Sequence, residues 1–171
     1  MVGACKNQDH YAYGWAFVLD GASSIDSPTS GHDGGWYAER LKNALTNRLR
    51  DIPIRSTVDV VADAITEAAS AHDRHEGACP TSTIALARWN ANQIELYILG
   101  YSYVIISTDD GPLLMTDDRL ATVAPDLRTR YRQRLAQGRG FDAIHRQLLR
   151  ELQQHEARHR NLDGGYWIAG D

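Results

Sequence analysis

The chain has 171 residues, 43% apolar and 23% charged, a balance that predicts one soluble globular domain over residues 1–171 and excludes a disordered or fibrous chain. A formal net charge of -4 gives no basic footprint, so no nucleic acid partner is expected. No apolar run reaches the roughly 18 to 20 residues a membrane span needs, so no membrane partner is expected either. Cys5 and Cys79 are too few for a four-thiolate zinc site, and Met1 to Lys6 lacks the layout of a secretory leader, so both are expected as reduced thiols in a cytoplasmic protein.

In chain order, a short strand is expected at Met1 to Cys5 and a strong one at Tyr13 to Leu19. The Gly/Ser/Pro/Asp-rich stretch from Gly21 to Gly35 reads as a loop. Two helices follow. Tyr37, Leu41, Ala44, Leu45 and Leu49 share one face of the first; Val58, Val61, Ala62, Ile65, Ala68 and Ala69 share one face of the second, which opens after Ser56-Thr57 in a capping position.

Four strand-like runs come next, Ser82 to Trp89, Gln93 to Leu99, Tyr103 to Ser107 and Pro112 to Met115. The turn signals Asn90-Ala-Asn92 and Asp109-Asp-Gly111 predict an antiparallel meander. Alternation in the second run predicts Ile94, Leu96 and Ile98 inside, and Thr83 to Ala87 is apolar enough on both faces to be covered on two sides. Helices are then expected from Pro125 to Gln137, with Leu127, Tyr131 and Leu135 in register and Gly138 as stop, and from Phe141 to about Arg158, with Ile144, Leu148 and Leu152 in register. Arg128, Arg130, Arg132 and Arg134 scatter around the first of these axes and predict a solvated face. A last strand is expected at Gly165 to Ala169. Helix pairs among antiparallel strands give an α+β fold class.

Asp20-Gly21, closing the run that starts at Tyr13, carries the chemistry. A carboxylate beside a bare glycine carbonyl offers hard oxygen ligands to a divalent cation, although Asp-Gly is also a common turn dipeptide.

The ordered set Asn7-Gln-Asp9, Phe17-Val-Leu-Asp-Gly21, Gly34-Gly-Trp-Tyr-Ala38, Cys79-Pro-Thr-Ser-Thr-Ile-Ala85, Leu99-Gly-Tyr-Ser102 and Thr116-Asp-Asp118 resembles the metal-dependent protein phosphatase family of type 2C. With Arg160-Asn161 and Gly164-Gly-Tyr-Trp-Ile-Ala169, it is most similar to small actinobacterial members of unassigned substrate. The resemblance implies a four-layer αββα sandwich of antiparallel sheets flanked by helix pairs, with two Mn²⁺ or Mg²⁺ ions at one end. It implies Asp20 as the bridging ligand, the Gly21 carbonyl on one ion, Asp9 steadying metal-bound water and Asp171 as a further ligand, and hence Asp9 and Asp20 as catalytic residues. The implied activity is hydrolysis of phosphate monoesters, on a phosphorylated protein or a small phosphomonoester, by metal-activated water. Oxygen donors favour those ions on independent grounds.

The sequence departs from the family at four points. The histidine of Asp-Gly-His-Gly-Gly is absent, with His32 nearest in sequence; Tyr101 replaces the carboxylate of Gly-Asp-Ser; Lys6 is the nearest cation where the family has an arginine; and the chain stops at Asp171, short of the family's closing segment. These departures support an alternative, a catalytically degenerate phosphatase-like domain that binds a partner. An uncovered closing edge predicts a homodimer. His155-Glu-Ala-Arg-His159 matches the zinc-hydrolase pattern His-Glu-x-x-His and gives a lesser alternative, with Glu156 as base. His72 and His75, near a helix C-terminus, and the tyrosine pair Tyr101 and Tyr103, on one strand face, are read as structural.

Overall fold

A computed structural model describes residues 2–6, 12–23, 32–50, 55–72, 79–140 and 142–170, with side chains from residue 14 onward. Six strands and four α-helices appear: β1 (Val2–Lys6), β2 (Ala12–Ala22), α1 (Gly34–Arg50), α2 (Thr57–Ala69), β3 (Thr81–Trp89), β4 (Ile94–Leu99), β5 (Tyr103–Thr108), β6 (Gly111–Thr116), α3 (Pro125–Ala136) and α4 (Ala143–His159), with a short 3-10 helix at Arg119–Thr122 before α3. The fold class is α+β, with antiparallel sheets.

The larger sheet has the order β1-β2-β3-β4. Register fixes its two faces. Phe17 pairs with Leu86, Leu19 with Ile84, Tyr97 with Leu86 and Leu99 with Ile84, and these residues look toward α1 and α2. Tyr37, Leu41, Ala44, Leu45 and Leu49 of α1 and Val61 and Ala64 of α2 complete that core. The 3.6-residue spacing of the α1 apolar positions is therefore the spacing of its buried stripe. Trp15 and Phe17 stack on the same face, with ring centroids 5.6 Å apart. Each such leucine contributes roughly 1.5 to 3 kcal/mol by burial. Ser56 caps α2 by accepting from the Asp59 amide at 3.1 Å, satisfying one amide that has no partner inside the helix.

Several expectations change. The strand expected to end at Leu19 runs through Ala22, so Asp20-Gly21 lies in a ladder and not in a turn, paired with Thr83 and Ser82. Cross-strand hydrogen bonds outweigh the turn preference of the dipeptide. Ile94, Leu96 and Ile98 are not the helix-facing set. Their neighbours Glu95, Tyr97 and Leu99 take that face, with Thr57 of α2 donating to the Glu95 carboxylate. Ile94 is 62% exposed and Val18, on the same outer face, 70% exposed.

The meander is divided. The β3–β4 turn forms as expected, with the Asn90 side chain accepting from the amides of Asn92 (2.8 Å) and Gln93 (3.1 Å), but among the described residues β5 pairs only with β6, in a separate two-stranded sheet. Gly100, at φ +73°, and the Ser102 amide donating to the Gly100 carbonyl at 2.8 Å turn the chain out of the first sheet. A positive φ is cheap for glycine and costly for other residues.

On α4 the buried stripe is His145, Leu148 and Leu152, while Ile144 is exposed. His145 packs on Tyr131 of α3 with ring centroids 4.6 Å apart, and this contact sets the rotation of the helix. Asp142 caps α4 by accepting from the His145 amide at 2.7 Å. Leu135 of α3 is exposed rather than in register with a core. The last expected strand is reduced to bridges, Ser82 with Ala169 and Arg160 with Tyr166. No helix among the described residues is long and apolar enough to cross a membrane.

Candidate functional site

The larger sheet and the start of α1 meet at Asp20-Gly21. Two glycines allow the approach. A Cβ on Gly21 would lie 2.0 Å from the Gly34 carbonyl oxygen, and one on Gly34 would lie 2.5 Å from the backbone of Gly21 and Ala22. The Gly34 amide donates to Ser23 Oγ at 2.8 Å, and the Trp36 amide to Asp33 Oδ1 at 2.8 Å. The first turn of α1 is thereby fixed against the end of β2. Asp20 itself is solvent-exposed.

The C-terminal segment reaches the same end of the sheet. The Ser82 amide donates to the Ala169 carbonyl at 2.8 Å and the Ala169 amide to the Ser82 carbonyl at 3.0 Å. Ser82 is the register partner of Gly21, so Gly21, Ser82 and Ala169 lie on neighbouring backbones. Gly170 lies against Thr81, where a Cβ would be 3.1 Å from the Thr81 Cγ2. Asp9 and Asp171 are outside the described residues. Of the four expected site residues, then, Asp20 and Gly21 are adjacent on β2 and the other two are not described.

On the outer side of this corner, Gly100 is in contact with Thr83, where a Cβ on the glycine would lie 3.1 Å from Thr83 Cγ2. Thr83 is the cross-strand neighbour of Asp20. The Gly100 amide donates to Asp117 Oδ2 at 3.1 Å, and Arg119 grips the same carboxylate through Nε at 2.7 Å and Nη2 at 2.6 Å. Burial would push Asp117 up, but these hydrogen bonds and the Arg119 charge outweigh it and hold the carboxyl below its ordinary value. Thr116 Oγ1 donates to the Ser102 carbonyl at 2.9 Å, pinning the hairpin base to the same turn.

The histidines divide. His32 stacks on Trp36 with ring centroids 4.1 Å apart, and His72 meets both rings at 6.1 and 6.3 Å, while the Arg40 guanidinium lies 5.4 Å from the Trp36 ring centre. His32 is thus part of an aromatic cluster joining α1 to the end of α2. His75 is outside the described residues. On α4, Glu156 is held by Arg128 at 2.5 Å, and His159 Nδ1 contacts the His155 carbonyl at 2.8 Å. Burial raises the Glu156 carboxyl, and the Arg128 charge opposes that rise. No group of three or more His, Cys, Asp or Glu suited to a metal is present among the described residues. The zinc-hydrolase pattern therefore has its glutamate in an ion pair.

The arginines of α3 do not act alike. Arg128 pairs with Glu156 and Arg134 with Asp142, whereas Arg132 is exposed. The rings of Tyr101 and Tyr103 meet edge-on, 5.5 Å apart at 82°. A groove of about 1000 Å³ lies elsewhere, between α2, β4 and the C-terminal segment, with Ile65, Tyr97, Leu99 and Trp167 in its walls. Cys79 is buried and lines the same groove. Compared with models of protein families and with curated proteins, the chain matches none.

Proposed function

We propose that the chain is a metal-dependent phosphatase-like protein of the type 2C kind, hydrolysing phosphate monoesters at the Asp20 corner. The observation that carries this reading is the contact of Gly21 with Gly34, because it packs the glycine that follows an exposed carboxylate against the N-terminal turn of α1. Asp20 and Gly21 supply two of the hard oxygen donors that Mn²⁺ or Mg²⁺ require, and Asp171 is a third by resemblance. Asp9 belongs to the proposed site by resemblance alone. Two such ions, when bound, lower the pKa of a water and neutralise phosphoryl charge.

The residues of the chain itself position and screen. Asp20 is anchored by its register with Thr83, and the α1 N-terminus adds a favourable field for bound anions. The four-layer stacking belongs to the same proposal. The elements it needs are present, a helix pair on the larger sheet, a hairpin sheet and a second helix pair; the apolar outer face bearing Val18 and Ile94 favours a layer over it. The edges of the β5–β6 hairpin, which no other strand among the described residues pairs, with Ile105, Leu113 and Leu114 exposed, favour association with a second copy. A cytoplasmic setting belongs to the same proposal, for a chain with only two cysteines.

A degenerate domain is the second reading, favoured by Tyr101 standing where the resemblance has a carboxylate. Titration of Mn²⁺ against the protein, beside release of p-nitrophenol from p-nitrophenyl phosphate, separates the two. Binding and turnover both lost in Asp20→Ala support hydrolysis. Binding lost with no turnover in the parent protein supports the degenerate domain, and manganese affinity unchanged by Asp20→Ala overturns both.

A further inference from the structure

We propose that the outer face of α4 binds nucleic acid, gripping the phosphodiester backbone without reading its sequence; this stands independently of the hydrolase reading above. The net charge of -4 hides two opposed parts. Residues 125–160, which form α3, α4 and the turn between them, carry nine arginines, no lysine and four acidic residues, whereas the rest of the chain carries nine basic residues and eighteen acidic ones. A polyanion repelled by the chain as a whole is therefore attracted to this helix pair. Three of the four acidic residues of the pair are engaged within it: Arg128 holds Glu156, Arg134 holds Asp142, and Glu151 accepts from Gln147 Nε2 at 3.0 Å.

The rotation of α4 decides what solvent meets. His145, Leu148 and Leu152 are buried, and the exposed residues from 146 to 158 are Arg146, Gln147, Arg150, Gln154, Ala157 and Arg158. Arg146, Arg150 and Arg158 recur at multiples of four residues, so they form a stripe about 18 Å long on the side away from the buried one. That face holds three guanidiniums and two amides, with no carboxylate and no apolar group larger than a methyl. A protein interface needs aromatic or aliphatic anchors at its centre, and a helix that lies in a lipid surface needs an apolar face; this surface offers neither. Guanidinium forks and side-chain amides are donors suited to phosphate oxygens, and they hold a nucleic acid through its backbone alone. Arg130, Arg132 and Arg139, exposed on α3 and in the turn after it, add to the positive field.

The test uses the full chain and fluorescence anisotropy of an end-labelled mixed-sequence RNA strand and, separately, a DNA duplex, titrated over a range of salt. Affinity is expected to fall linearly on a log–log plot with a slope of about -2 to -3, the value for three phosphates neutralised. Arg158→Gln is expected to reduce that slope by about 1, and Arg150→Gln with Arg158→Gln to weaken binding by on the order of tenfold or more at low salt. These side chains are exposed and glutamine suits a helix as well as arginine does, so the fold is kept, which circular dichroism verifies. Arg50→Gln with Arg55→Gln makes the same change in net charge away from α4 and is expected to leave affinity within about twofold. Absence of binding at low salt, or an equal loss in the α4 pair and the Arg50 and Arg55 pair, overturns the proposal. Polyglutamate competing as well as unlabelled nucleic acid would reassign the face to an acidic protein, and binding confined to phosphatidylserine vesicles would reassign it to a lipid surface; either result overturns it too.

Discussion

Gly21 and Gly34 meet backbone to backbone, with the carbonyl oxygen of Gly34 occupying the position a Cβ on Gly21 would take. Gly21→Ala and Gly34→Ala are each expected to cost about 1 to 3 kcal/mol through overpacking against backbone that has no room to yield. Gly35→Ala, one residue along, meets only the Asp33 side chain at 3.3 Å and is expected to be neutral or slightly stabilising as a helix substitution. Thermal denaturation of the three variants checks the contrast. Equal losses at 34 and 35 would mean that the close approach does not exist.

Leu45 of α1 is fully buried against the larger sheet. Leu45→Ala is expected to lose about 2 to 5 kcal/mol in urea unfolding, the sum of lost transfer energy and an incompletely filled cavity. On the opposite sheet face, the proposed four-layer stacking expects Ile94→Ser to lose about 1.5 kcal/mol or more. A bare surface would lose under about 0.5 kcal/mol, and that result would remove the stacking from the proposal.

Asp117 ties the Gly100 turn to Arg119. Its carboxyl is held below its ordinary value in the folded chain, so its contribution to stability is fully present above the unfolded value near 4 and is lost as pH falls through the folded value. Asp117→Asn is therefore expected to lower stability at pH 7, and the gap from the parent protein should close as pH drops below about 4. A gap that is constant from pH 7 to pH 3 would show that the charge contributes nothing.

Association through the hairpin is expected to appear as a mass that rises with concentration in light scattering. Ile105→Lys together with Leu114→Lys should return the chain to a monomer without loss of secondary structure, because both side chains are exposed within the chain. A monomer at all concentrations in the parent protein would exclude the second copy.

Local chemistry written along the chain accounts for much of this fold. The buried stripe of α1, the cap of α2 at Ser56, the Asn90 turn and the stop at Gly138 follow from spacing, short polar side chains and a single left-handed glycine. Asp20-Gly21 was legible as a source of oxygen ligands. Its place inside a ladder was not, because whether Asp-Gly turns or stays extended depends on Thr83 and Ser82, some sixty residues away. Likewise, alternation in β4 said that two faces differ but not which one meets the helices. The register with Ile84 and Leu86 settled that, and the same kind of distant contact, His145 on Tyr131, chose the buried stripe of α4. The partners of the α3 arginines belong wholly to tertiary structure: these residues are one charge pattern in sequence, and only folding brings Glu156 to Arg128 and Asp142 to Arg134.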